Sequence, residues 1–125
     1  MDKPLVSILM NCYNGEKYLR ETLNCVINQT YKNWELIFWD NQSNDNSAQI
    51  FKSYRDKRFK YFYADEHTGL GEARSKAFKY LVGDFIAVLD TDDLWFPEKL
   101  EKQIILFDDK DVGIVISNSY FFNNY

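Results

Sequence analysis

Asp90-Thr91-Asp92-Asp93 puts three carboxylates within four residues, directly after the apolar run Phe85–Leu89. Like charges at this spacing repel unless a cation joins them. The hard ions Mg²⁺ and Mn²⁺ take oxygen ligands and commonly leave positions open for phosphate oxygens. The cluster therefore fits a metal site built from Asp93, Asp92 and Asp90. There an ion would bridge the protein to a diphosphate and neutralise charge on a departing group. The plainer reading is an acidic turn, with Asp92 or Asp93 favouring the positive end of the next helix.

Two other chemistries share an acidic strand end. A Walker B strand works with a Gly-rich Lys loop, and the chain contains no Gly-x-x-x-x-Gly-Lys. A phosphatase of the haloacid dehalogenase class would use Asp90 as its nucleophile. In that class the motif usually follows the first strand, whereas here it follows the fourth apolar run. A second candidate is Thr68-Gly69-Leu70-Gly71-Glu72-Ala73-Arg74, a small-residue turn running into a helix. Its amides can face phosphate and Arg74 can pair with it, though glycine equally serves a plain turn. His67, the only histidine, reads as a loop residue. Tyr13 suits either a base platform or packing. Trp34 and Trp39 read as core, and Trp95 as core with a sugar-facing role as the alternative.

The elements that must position these residues follow from apolar spacing. Five runs read as strands: Leu5–Met10, Glu35–Trp39, Phe59–Tyr63, Phe85–Leu89 and Val112–Ile116. Four are nearly continuous in apolar residues, as expected for strands covered on both faces. Phe59–Tyr63 alternates most, which predicts an edge. Leu19, Leu23, Val26 and Ile27 mark a helix with Asn14 as its cap. Ile50, Phe51 and Tyr54 mark a second. Leu70, Ala73, Ala77 and Leu81 mark a third, stopped near Gly83. Pro97 opens a fourth, with Leu100, Ile104 and Phe107 on its buried face. Strand and helix alternate throughout, so the expected fold is α/β: a Rossmann-like three-layer sandwich around a mainly parallel sheet with right-handed crossovers. Ligands of such sheets gather beyond the carboxyl ends of the strands. The runs end in Asn11–Asn14, Asp40–Ser43, Asp65–His67 and Asp90–Asp93, four polar clusters on one predicted edge.

Composition narrows the class. The chain's 125 residues suit a single domain, with 46% hydrophobic and 27% charged residues. A net charge of −4 offers no broad basic field for nucleic acid. The apolar runs are shorter than the ~20 residues of a bilayer span, and no signal pattern opens the chain. The expected location is cytoplasmic, or peripheral at the inner face of the membrane. Cys12 and Cys25 form no metal pair and read as reduced thiols.

In order and spacing the segments resemble glycosyltransferase family 2. The resemblance runs through Val6-Ser7-Ile8, Tyr13-Asn14, Tyr18-Leu19, Gln29–Ile37, Asp40–Asp45, Gly69–Arg74 and Gly83–Asp93. It implies the GT-A fold and inverting transfer of a sugar from a nucleotide-diphosphate sugar to an acceptor hydroxyl, in polysaccharide or glycan synthesis. It implies Mn²⁺ or Mg²⁺ as cofactor, a UDP-sugar as default donor and a glycan or lipid-linked acceptor. By the same resemblance Asn11 and Tyr13 lie along the nucleotide and Asp40 and Asn41 at base and ribose. Arg74 lies near the diphosphate, and Asp92 and Asp93 serve ribose and metal. Two departures stand out. Asn41 replaces the second of two acids often found in the family, which puts a donor where an acid only accepts. Family members also continue into an acceptor-binding half that carries the general base. Residues 1–125 are therefore expected to be the donor-binding portion, with the base beyond Tyr125, or else a non-catalytic nucleotide-sugar-binding fragment.

Overall fold

The computed structural model describes residues 3–122. Its sheet has four parallel strands: β1 (Val6–Cys12), β2 (Trp34–Asp40), β3 (Phe59–Tyr63) and β4 (Phe85–Val88), in the order β3-β2-β1-β4. The two central strands are the two most buried. All seven residues of β2 are buried, as are all of β1 except Asn11. β3 sits at an edge, as its alternation predicts. The α/β, mainly parallel architecture expected from the sequence is present.

Helices α1 (Glu16–Ile27), α2 (Ser47–Lys52), α3 (Leu70–Ala77) and α4 (Lys99–Ile104) connect and cover the sheet. Strand side chains alternate between faces, and two cores result. One joins Ile8, Met10, Leu36 and Phe38 to Leu19, Leu23, Val26, Phe51 and Leu100. The other joins Leu9, Ile37 and Trp39 to Ala73 and Ala77. The alanines of α3 let that helix lie close over β1 and β2, which brings Arg74 to the strand ends. Trp34 and Trp39 are core residues, as expected.

Two expectations change. Asn14 does not cap α1. Its φ is 53°, in the left-handed region, and Gly15 holds the capping position. The first free amides of the helix are met from across the fold: Gly15 N donates to Ser47 Oγ at 3.0 Å and Glu16 N to Asp45 Oδ2 at 3.0 Å. The second change concerns Val112–Ile116, which forms no strand. The run lies beside β4 across a cavity of about 410 Å³, with Ile114 and Ile116 exposed. A strand exists only when its amides and carbonyls join a ladder, and Gly113 further weakens this one. Apolar content alone does not supply the neighbour.

At the amino end of the sheet, Glu35 is buried within a polar cluster. It accepts from Ser7 Oγ at 2.5 Å, Val82 N at 3.1 Å and Lys60 Nζ at 2.5 Å. Burial pushes its carboxyl up, but the hydrogen bonds from Lys60, Ser7 and Val82 and the lysine charge outweigh it, so the net direction is down. A lowered folded value stabilises above the ordinary carboxylate range, and this is lost as pH falls through the folded value. Glu35→Gln is therefore expected to cost about 2 kcal/mol at pH 7, with the gap to the native chain closing on acidification below about pH 4.5. Urea unfolding across that range checks it; a pH-independent gap would refute the charge role.

Candidate functional site

The carboxyl ends of β1, β2, β3 and β4 meet as one polar edge, and hydrogen bonds run from loop to loop along it. After β1, Asn14 N donates to Ser43 Oγ at 3.0 Å, and Asn14 Oδ1 accepts from Asn44 N at 2.8 Å. Glu16 Oε2 accepts from Asn46 N and Nδ2. After β2, Gln42 takes a φ of 67° and donates to the carbonyls of Ala64 and Asp65. Two left-handed non-glycine residues at adjacent strand ends cost backbone energy, which these contacts offset.

Asp40 is fully buried and anchors this edge. Its Oδ1 accepts from Ser43 N at 2.8 Å and its Oδ2 from the Tyr61 hydroxyl at 2.6 Å. Burial first, then the neighbouring Asp40, hold that phenol well above its usual range, so Tyr61 remains a donor. Asn41 is tied in the same way: Nδ2 donates to Thr68 O at 2.7 Å and Oδ1 accepts from Thr68 N at 3.1 Å. Both residues expected at base and ribose thus have their polar atoms engaged within the protein, where they shape the site. Sequence patterning carries little sign of this, because Tyr61 and Thr68 stand 21 and 27 positions away.

Other groups remain free for a ligand. Tyr13 is exposed, and its ring lies 4.3 Å from that of His67. The amide of Asn11 is buried with neither polar atom bonded, and Thr68 Oγ1 and Arg74 Nε are unpartnered likewise. Buried polar atoms normally find partners, so these mark a place where a polar ligand or water fits.

Beyond β4, Asp90 Oδ1 accepts from Arg74 Nη2 at 2.9 Å. Asp92 and Asp93 are exposed. Burial, then the charges of Asp92 and Asp90, hold the Asp93 carboxyl above its ordinary range. The turn is seated closely on the start of α1: a Cβ on Gly15 would meet Thr91 Oγ1 at 2.9 Å, and Thr22 Oγ1 donates to Thr91 O at 2.9 Å. Among the described residues no three His, Cys, Asp or Glu side chains converge as a ready-made metal cage. The donor set still fits Mg²⁺ or Mn²⁺, which are commonly held by one or two carboxylates plus phosphates. Asp92 and Asp93 would hold it, because Asp90 is paired to Arg74. Trp95 packs against the core with Lys99 over its ring, which leaves it a wall residue.

The known proteins that this chain is similar to are glycosyltransferases. The model of glycosyl transferase family 2 matches residues 7–124. The UDP-Glc:alpha-D-GlcNAc-diphosphoundecaprenol beta-1,3-glucosyltransferase WfgD of Escherichia coli is 39% identical over 99% of this chain and 49% of its own length. The putative teichuronic acid biosynthesis glycosyltransferase TuaG of Bacillus subtilis is 38% identical over 82% of this chain and 41% of its own. The chain thus spans less than half the length of either relative. Among solved structures, residues 1–349 of S. aureus TarS in complex with UDP-GlcNAc superpose with a TM-score of 0.79 at 30% identity, covering 83% of this chain and 31% of that one. The mannosyltransferase PcManGT of Pyrobaculum calidifontis, in complex with GDP-Man and Mn²⁺, shares the fold with a TM-score of 0.82 at 22% identity, covering 90% and 34%.

Proposed function

The chain belongs to glycosyl transferase family 2, and from that premise we propose that it is the donor-binding part of an inverting, metal-dependent glycosyltransferase. It would take a nucleotide-diphosphate sugar and transfer the sugar to an acceptor hydroxyl in cell-surface polysaccharide or glycan synthesis. The observation that carries this reading is the edge where Arg74, Asp90 and the exposed Asp92 and Asp93 meet the unpartnered amide of Asn11. One end of the edge suits a diphosphate and the other a nucleoside.

The residues divide by chemistry. Arg74, already oriented by Asp90, supplies guanidinium donors to the diphosphate. Asn11 offers an amide along the nucleotide, and Tyr13 an exposed ring. Asp40 and Asn41 act by holding the loops that frame base and ribose. Asp92 and Asp93 would hold Mn²⁺ or Mg²⁺, which when bound neutralises charge on the nucleoside diphosphate as it leaves. The acceptor half and its general base would lie outside residues 1–125. The activity of WfgD and the UDP-GlcNAc complex of TarS support a UDP-sugar donor and a glycan or lipid-linked acceptor, the latter bringing the protein to the inner membrane face. Among the described residues no helix is long and apolar enough to cross a membrane.

Calorimetry with UDP, GDP and dTDP, with and without Mn²⁺, tests the reading. Binding of one of them that strengthens at least tenfold with Mn²⁺ is the expected result, equivalent to about 1.4 kcal/mol. No binding of any of the three would overturn it.

A further inference from the structure

We propose that His67 reads the nucleobase, and that it does so as a hydrogen-bond acceptor, selecting a base with a ring N–H on its pairing edge. The inference rests on the donor-binding reading above and adds a specificity residue to it.

Asn41 is the residue whose position suggests base contact, but its pairing edge is taken. One residue, Thr68, receives the Nδ2 donor on its carbonyl and gives its N–H to Oδ1. That bidentate arrangement uses the side of the amide that would otherwise match a uracil edge. The Asn41 backbone carbonyl contacts His67 Nδ1 at 2.8 Å. A carbonyl oxygen only accepts, so Nδ1 must carry the hydrogen. In the neutral ring Nε2 is then a lone pair. Nε2 is bonded to none of the described residues, and the side chain is exposed. The far side of the ring is set by Tyr13, whose centroid lies 4.3 Å away at a 52° tilt. Position and tautomer of the imidazole are thus both determined before any ligand arrives.

The location suits a base. Arg74 and Asp90 place the diphosphate beyond β4, while Asn41 follows β2, two strands across the sheet. Neighbouring strands are ~4.8 Å apart, so the two positions are separated by about 10 Å, a span that a ribose and a ring fill. A single acceptor fixed there matches the N3–H of uracil. Cytosine has a lone pair at the same ring position and would set acceptor against acceptor.

The test measures binding of UDP, N3-methyl-UDP and CDP by calorimetry with Mn²⁺, for the native chain, His67→Asn and His67→Leu. Asparagine retains a donor for the Asn41 carbonyl but has no acceptor at the reach of Nε2. The native chain is expected to prefer UDP over both other nucleotides by about tenfold. Both variants should lose the preference against N3-methyl-UDP, chiefly by weaker UDP binding. A purely structural role predicts a uniform loss for all three nucleotides in His67→Leu, rescued by His67→Asn; that result would overturn the proposal. So would a native chain that binds UDP and N3-methyl-UDP equally. Failure of every nucleotide to bind the native chain would instead overturn the donor-binding reading itself, and this inference with it.

Discussion

Asp93→Asn is expected to weaken nucleoside diphosphate binding about 100-fold at saturating Mn²⁺, or ~2.7 kcal/mol, while leaving metal-free binding unchanged. The amide keeps the size of the side chain but removes the charge that an oxygen-seeking cation needs. Burial and the charges of Asp92 and Asp90 disfavour the Asp93 charge in the free protein. A cation beside it would relieve that repulsion. Asp90→Asn should behave differently. Its carboxylate pairs with Arg74, so its loss is expected to weaken binding several-fold with or without metal, by freeing the guanidinium. Titrations of both variants against Mn²⁺ separate the roles. Native affinity in Asp93→Asn at saturating metal would refute the assignment of Asp93 as a ligand.

Gly83→Ala is expected to lower stability by about 3 kcal/mol. The glycine is needed for space and not for a left-handed backbone, since no glycine has positive φ among the described residues. A Cβ at this position would meet Ser7 N at 2.6 Å and Leu5 O at 2.8 Å. Both are backbone atoms at the start of the central strand β1. They cannot yield without displacing the Gly83 N to Ser7 Oγ bond and, through Ser7, the buried Glu35. Gly71→Ala is the control. It lies in the first turn of α3 with no atom within 4 Å of a Cβ, so alanine there should add a few tenths of a kcal/mol or more through helix propensity. Chemical denaturation of the two variants should shift midpoints in opposite directions. Equal midpoints would mean that the close approach at Gly83 relaxes freely.

The order of elements and the polar edge of the sheet were legible in the sequence because both depend on local patterns. Continuous apolar runs marked β1, β2 and β4, and the alternation of Phe59–Tyr63 marked β3 as a strand at an edge. Polar residues at each run's end marked where a ligand can approach. Sequence order and spacing also carried the family resemblance, which the family match over residues 7–124 supports.

What only the tertiary structure decided is how the polar groups pair across the edge. Asn14 looked like a helix cap, but Ser47 and Asp45 supply that function from another loop. Val112–Ile116 had the composition of a strand without a ladder to join. Asp40 and Asn41 bond to Tyr61, Ser43 and Thr68, a pairing that spacing did not reveal. The acidic cluster Asp90-Thr91-Asp92-Asp93 was visible as a charge problem, but its division was not: Asp90 is matched to Arg74, and Asp92 and Asp93 stay open. Spacing along the chain reports residue types and their periodicity. A hydrogen bond depends on distance and direction, and these are set only when parallel strands fall into register and bring distant loops together.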